Sequence, residues 1–111
     1  MLLLLNDGEW GKWSDSEIDR LIHEPARLAI IAVLSACESA DFKRIQQITE
    51  LTKGNLSAQL QKLEEVGYIT ITKSFRDKYP HTTCALTPTG RRAFDVYWQR
   101  VKALGDALHL D

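Results

Sequence analysis

The sequence predicts a mainly α-helical domain with one small β-hairpin, an α+β layout in the order helix, helix, short turn, helix, hairpin, helix. Three observations carry that prediction. Apolar residues recur at helical spacing as far as Val66. The period switches to two between Tyr68 and Phe75, and helical spacing returns after the pair Thr87-Pro88. A chain of 111 residues suffices for one core, and its 44% hydrophobic and 26% charged content suits an ordinary globular domain.

Residues 1–13 have no clear period and read as an N-terminal arm, either ordered with Trp10 and Trp13 against a partner subunit or loose. The main domain is expected over residues 14–105, with 106–111 as a C-terminal tail. Ser14 and Glu17 fit a capping box, and Ile18, Leu21 and Ile22 follow at helical spacing, which predicts a short helix to about His23. Pro25 suits the first position of a second helix. From Ala26 to Cys37 only Arg27 and Ser35 are polar. A helix so apolar needs cover on more than one side, and a second subunit would supply it, so a homodimer is expected.

Asp41 can cap the next helix, in which Phe42, Ile45 and Ile48 share a face through about Glu50. Thr52 is a good N-cap for the following helix, expected over residues 53–66, with Leu56, Leu60, Leu63 and Val66 behind it and Gly67 at its C-terminal end. In the strand that follows, Ile69, Ile71 and Phe75 share a face with Lys73 as the exception. A four-residue charged tip ends at Pro80, and the return strand of 81–87 has Cys84 and Leu86 inward. Thr87 caps the last helix, with Pro88 at its first position. Ala93, Phe94, Tyr97, Trp98, Val101 and Leu104 form its stripe, and Gly105 is expected to stop it. This order is the layout of a winged helix-turn-helix domain.

Function is carried by the helix of residues 53–66. Opposite its leucines stand Gly54, Ala58, Gln61 and Glu65, flanked by Asn55, Ser57 and Lys62. Small residues permit close approach to a major groove, Asn and Gln can pair with adenine edges, and Lys53 and Lys62 can meet phosphate or guanine. The hairpin segment of about 75–82 adds Arg76 and Lys78 at its tip beside Lys73, a clamp for phosphates or the minor groove. Lys43 and Arg44, next to the Asp41 cap, are expected to add phosphate contacts. Net charge is −1, but residues 41–92 hold nine bases against five acids, a basic zone of +4 within an acidic remainder.

Four blocks in order, Leu21-Ile-His-Glu-Pro-Ala-Arg27, Leu51-Thr-Lys-Gly-Asn-Leu-Ser57, Leu63-Glu-Glu-Val-Gly-Tyr-Ile69 and Leu86-Thr-Pro-Thr-Gly-Arg91, resemble the small winged-helix regulators of bacteria and archaea related to the MarR and ArsR groups. The resemblance runs from about Asp19 to Leu104. It implies a winged-helix fold, a homodimer formed through the terminal helices, double-stranded DNA as partner, and Lys53, Gly54, Asn55, Ser57 and Gln61 on the recognition helix. The metal-ligand cysteine motif of the metal-sensing ArsR proteins is absent, so metal sensing does not carry over.

Enzymatic readings fail on the residues. His23, His81 and His109 share no site with a nucleophile, and no phosphate-binding glycine loop, HExxH or paired-carboxylate motif is present. No catalytic residue, metal or cofactor is therefore expected. Cys37 and Cys84 stand far apart without further ligands, as thiols of a reducing cytosol do. The Leu2–Leu5 run is too short for a secretory signal or a membrane span, so a cytoplasmic protein with no membrane partner is expected. Two rival readings stay open: a winged-helix protein–protein module without DNA binding, and a ligand-responsive regulator with Trp98, Tyr97 and Trp13 around a dimer-interface pocket.

Overall fold

The computed structural model describes residues 19–108. Helix α1 (Pro25–Ser35) leads into a two-residue strand β1 (Ala40–Asp41) and helix α2 (Phe42–Thr49). Helix α3 (Lys53–Glu65), the hairpin strands β2 (Ile69–Arg76) and β3 (Tyr79–Leu86), and helix α4 (Pro88–Ala107) follow. The sheet is antiparallel with β3 in the middle. β1 pairs Ala40 with Cys84, and β2 pairs Ile71 with Cys84 from the other side. This is the winged helix-turn-helix layout with one strand added; two residues of β1 are too short to leave a period in the sequence.

The caps explain where the helices begin. The side chains of Asp41, Thr52 and Thr87 accept from the amides of Arg44 (2.7 Å), Asn55 (3.1 Å) and Gly90 (3.0 Å). Glu24 does the same for Arg27 at 2.9 Å, with Pro25 opening α1. At the end of α3, Gly67 lies at φ +80°. Its amide bonds to Glu64 O (2.9 Å) and that of Tyr68 to Leu63 O (3.0 Å), a Schellman stop. α2 ends on Glu50 in the left-handed region (φ 58°), so only Glu50, Leu51 and Thr52 separate α2 from α3.

The core joins Ile30, Ile31 and Leu34 of α1 to Ile45 of α2, Leu56, Leu60 and Leu63 of α3, and Ile69 and Cys84 of the sheet. Tyr97 of α4 closes one end, with its hydroxyl 2.8 Å from His23 Nδ1.

Several sequence expectations are corrected. The capping-box residues of the first helix lie outside the described residues. Its expected end, residues 20–24, is turn and bend, held by the Asp19 carboxylate, which accepts from the amides of Leu21 (2.9 Å) and Ile22 (3.3 Å). Much of the apolar girdle of α1 is covered from within the chain: α2, α3 and β3 pack around it, and beyond Pro25 only Ala32 of its apolar residues is exposed. Uncovered apolar surface lies instead on α4 at Val96 and Trp98 (56% exposed) and at its C-cap Leu108. Gly105 does not stop α4, which runs to Ala107, because helical hydrogen bonding continues through to Leu108 N–Leu104 O (3.0 Å). Ile48 and Val66 fall on the apolar faces read from sequence but stand about half exposed, since each lies at the end of its helix beyond the reach of the core.

Candidate nucleic-acid interface

The phase of α3 decides which side chains can meet a ligand. Leu56, Leu60 and Leu63 are buried, so the helix is fixed through its back and cannot rotate without emptying the core. Lys53, Gly54, Asn55, Ser57, Ala58, Gln61, Lys62, Glu64 and Glu65 are exposed on the opposite side. With 13 residues, α3 is about 20 Å long, enough to lie along one stretch of major groove.

The hairpin stands beside this face. From Thr72 to Pro80 every residue is exposed, so the outer half projects free of the core as a wing. Asp77 and Lys78 form its tip, both with positive φ (52° and 73°), a two-residue connection whose twist matches the strands. The expected four-residue tip is therefore shorter, and Tyr79 belongs to β3. Phe75, placed inward from the alternation, is 77% exposed because the strand has passed the end of the core by that point.

An open cleft of about 1060 Å³ runs between α3 and the wing. Lys53, Ser57 and Gln61 line it from α3, Lys73 and Thr82 from the hairpin, and Lys43 from α2. Five of the expected site residues thus share one concavity. Gly54, Asn55 and Lys62 are exposed on α3 outside the cleft lining; Arg44 is exposed on the first turn of α2; Arg76 and Lys78 sit at the wing end. The cleft is not uniformly cationic, for Asp41 and Glu64 also line it. Asp41 is occupied as the cap of α2. The Cys84 thiol is pushed up to about 11, chiefly by burial and then by the charge of Glu64. The thiol therefore stays protonated and unreactive at neutral pH.

His81 and Thr82, within the expected wing segment, stand in the cleft wall, whereas two residues that act behind the reading face were not singled out from sequence. Arg27 donates from Nε to Leu21 O (2.6 Å) and from Nη1 to Gln59 Oε1 (2.9 Å), and Gln59 Nε2 donates to Asn55 Oδ1 (2.9 Å). The signal was available: Arg27 is the one charge in α1, and Asn55 and Gln59 stand four apart on one helix flank. Of the aromatic residues considered for an effector pocket, Tyr97 is buried and Trp98 exposed, while Trp13 lies outside the described residues. A shallower recess of about 580 Å³ at Asp19, Thr89, Arg92, Val96, Tyr97 and Arg100 includes Tyr97 without Trp98. Among the described residues, no helix is long and apolar enough to cross a membrane, and no cluster of three potential metal ligands occurs.

Comparison with known proteins places this geometry. A family model described as a winged helix DNA-binding domain matches residues 26–104. An uncharacterized protein of Methanocaldococcus jannaschii is 33% identical over 78 residues, covering 70% of this chain and 85% of that one. The structure of a transcriptional regulator homologue from Pyrococcus horikoshii superposes with a TM-score of 0.80 at 29% identity, over 91% of this chain and 97% of that one. A MarR-family transcriptional regulator from Silicibacter pomeroyi shares the fold at 22% identity and TM-score 0.62, over 96% of this chain and 71% of that one.

Proposed function

This chain belongs to the winged-helix DNA-binding domain family, and on that premise we propose that it is a sequence-specific, double-stranded-DNA-binding transcriptional regulator that works as a cytoplasmic homodimer. The observation that carries the reading is the open polar face of α3 sharing one cleft with the wing. Gln61, Ser57 and Asn55 read base edges in the major groove, where Gly54 and Ala58 allow close approach. Lys53, Lys62 and Lys73 hold flanking phosphates, and Lys43 and Arg44 extend that contact along the backbone. The wing lies on the backbone or minor groove through Arg76 and Lys78. The relatives with a stated role are regulators, not enzymes, and no catalytic step is assigned.

The exposed Val96 and Trp98 of α4, with Leu108 at its C-cap, support dimerisation through this helix, which leaves α3 of each protomer free. Two recognition helices held by a twofold axis would read half-sites about 34 Å apart. Selection of bound sites from random duplexes at low and moderate salt, run beside a solution mass measurement, tests both statements. The expected result is a palindromic site and a mass near twice 12.6 kDa. Absence of any duplex binding at low salt would favour a protein-binding module instead.

A further inference from the structure

We infer that Arg27 and Gln59 fix the polarity of Asn55, making it a reader of hydrogen-bond acceptors; this rests on the placement of α3 in the major groove proposed above. A guanidinium has donors and no acceptor. Arg27 is anchored by Leu21 O at 2.6 Å, so the group it meets at 2.9 Å on Gln59 must be the carbonyl oxygen. The amide nitrogen of Gln59 is then turned to Asn55, and only Asn55 Oδ1 can accept from it, at 2.9 Å. One cation in the first turn of α1 therefore sets the orientation of two neutral amides on α3. Asn55, exposed near the start of α3, is left presenting both hydrogens of its Nδ2.

An unconstrained asparagine pairs with adenine through one donor and one acceptor. With its oxygen held toward Gln59 and its Nδ2 turned outward, Asn55 suits an edge of adjacent acceptors, which in the major groove is guanine N7 and O6. Arg27 and Gln59 are thus positioning residues for specificity, and neither touches DNA.

The decisive variant is Gln59→Glu. A carboxylate still accepts from Arg27, but it now also accepts from Asn55, which must turn Nδ2 inward and present Oδ1 outward. Site selection with the full-length parent, Asn55→Ala and Gln59→Glu reads this directly. Asn55→Ala should lose preference at one position of each half-site, a position where the parent selects guanine. Gln59→Glu should move that same position toward adenine or cytosine, whose exocyclic amines donate, by roughly tenfold in base ratio. A general loss of affinity from the added negative charge cancels in that ratio. Gln59→Ala serves as a milder variant that should narrow the guanine-to-adenine ratio. Guanine retained at that position by Gln59→Glu, adenine chosen there by the parent, or no position altered by Asn55→Ala would each overturn the inference. A parent that selects no duplex refutes the DNA-binding proposal instead. In that case amide exchange in the free protein still tests the relay: the Gln59 side-chain amide should exchange severalfold more slowly than in Asn55→Ala, and equal rates overturn it.

Discussion

Replacing Gly90 by alanine sets two effects against each other, and their sizes fix the sign of the outcome. Within a helix alanine is favoured over glycine by about 1 kcal/mol. Gly90, however, is the third residue of α4 and lies against the backbone of Tyr68. A Cβ there would stand 2.0 Å from Tyr68 O, 2.8 Å from its carbonyl carbon and 3.0 Å from its Cα. Ordinary contact distances require the two backbones to part by roughly 1 Å or more. The obstacle is a carbonyl and not a flexible side chain, and it already accepts from Thr87 N at 3.0 Å, beside the Thr87 Oγ1–Gly67 O bond of 2.6 Å. Loosening those two bonds costs about 1 kcal/mol each, and overpacking adds about 1–3 kcal/mol. After the helical gain is subtracted, a net loss of about 2–4 kcal/mol is expected, which lowers Tm by roughly 10–25 °C in a domain of this size. Thermal melts and urea titrations of parent and Gly90→Ala measure it. An unchanged or raised Tm would show that α4 can lift off Tyr68 freely, contrary to the packing described for this junction.

Three further outcomes are expected. Lys78 occupies φ 73°, so Lys78→Gly should stabilise the wing turn by about 0.5–1 kcal/mol while weakening DNA binding; a slower-forming or less protected hairpin in hydrogen exchange would contradict this. Arg76→Ala should weaken all duplexes alike and flatten the log–log salt slope by about one for the phosphate it no longer neutralises, whereas Gln61→Ala should alter base preference with the salt slope retained; interchanged behaviour would reverse their roles. The Tyr68 hydroxyl donates to Asp19 at 2.5 Å, and burial, then that hydrogen bond and the Asp19 charge, push its pKa up to about 12. Because the folded value lies above the ordinary 10.0, the stabilisation is complete below pH 10 and is lost as pH rises toward 12. Tyr68→Phe should accordingly be less stable than the parent at neutral pH, with the gap closing above pH 10; a gap that stays constant in urea titrations would refute the assignment.

Much of the fold is legible in the sequence because local chemistry and global packing agree. Asp41, Thr52 and Thr87 announce three helix starts, and the leucines of α3 announce its buried side. What periodicity cannot report is where the core ends. Ile48, Val66 and Phe75 sit at correct phases but beyond the reach of the packed layers, and Trp98 lies at the edge of the α4 stripe beside buried Tyr97, so phase alone overstates their burial. The opposite holds for α1, whose apolar girdle points to a second subunit although a central helix in a small domain is largely wrapped by its own chain. At the candidate interface, the outward face of α3 can be read from phase, whereas the shared cleft with Lys43 and Lys73 arises from tertiary geometry. The lone charge of α1 and the Asn55/Gln59 spacing mark the two ends of the Arg27 relay in sequence, but the link between them spans 32 residues, a separation at which no local pattern operates.

The projecting hairpin has an evolutionary implication. Since no side chain from Thr72 to Pro80 helps to fill the interior, this stretch can drift in composition without loss of folding, while the rear of α3 is held fixed by the leucines it buries. Selection can therefore tune how strongly flanking DNA is gripped almost independently of which central bases are recognised. Paralogues descended from such a scaffold would diverge first in reach and grip, and only later in the word they read.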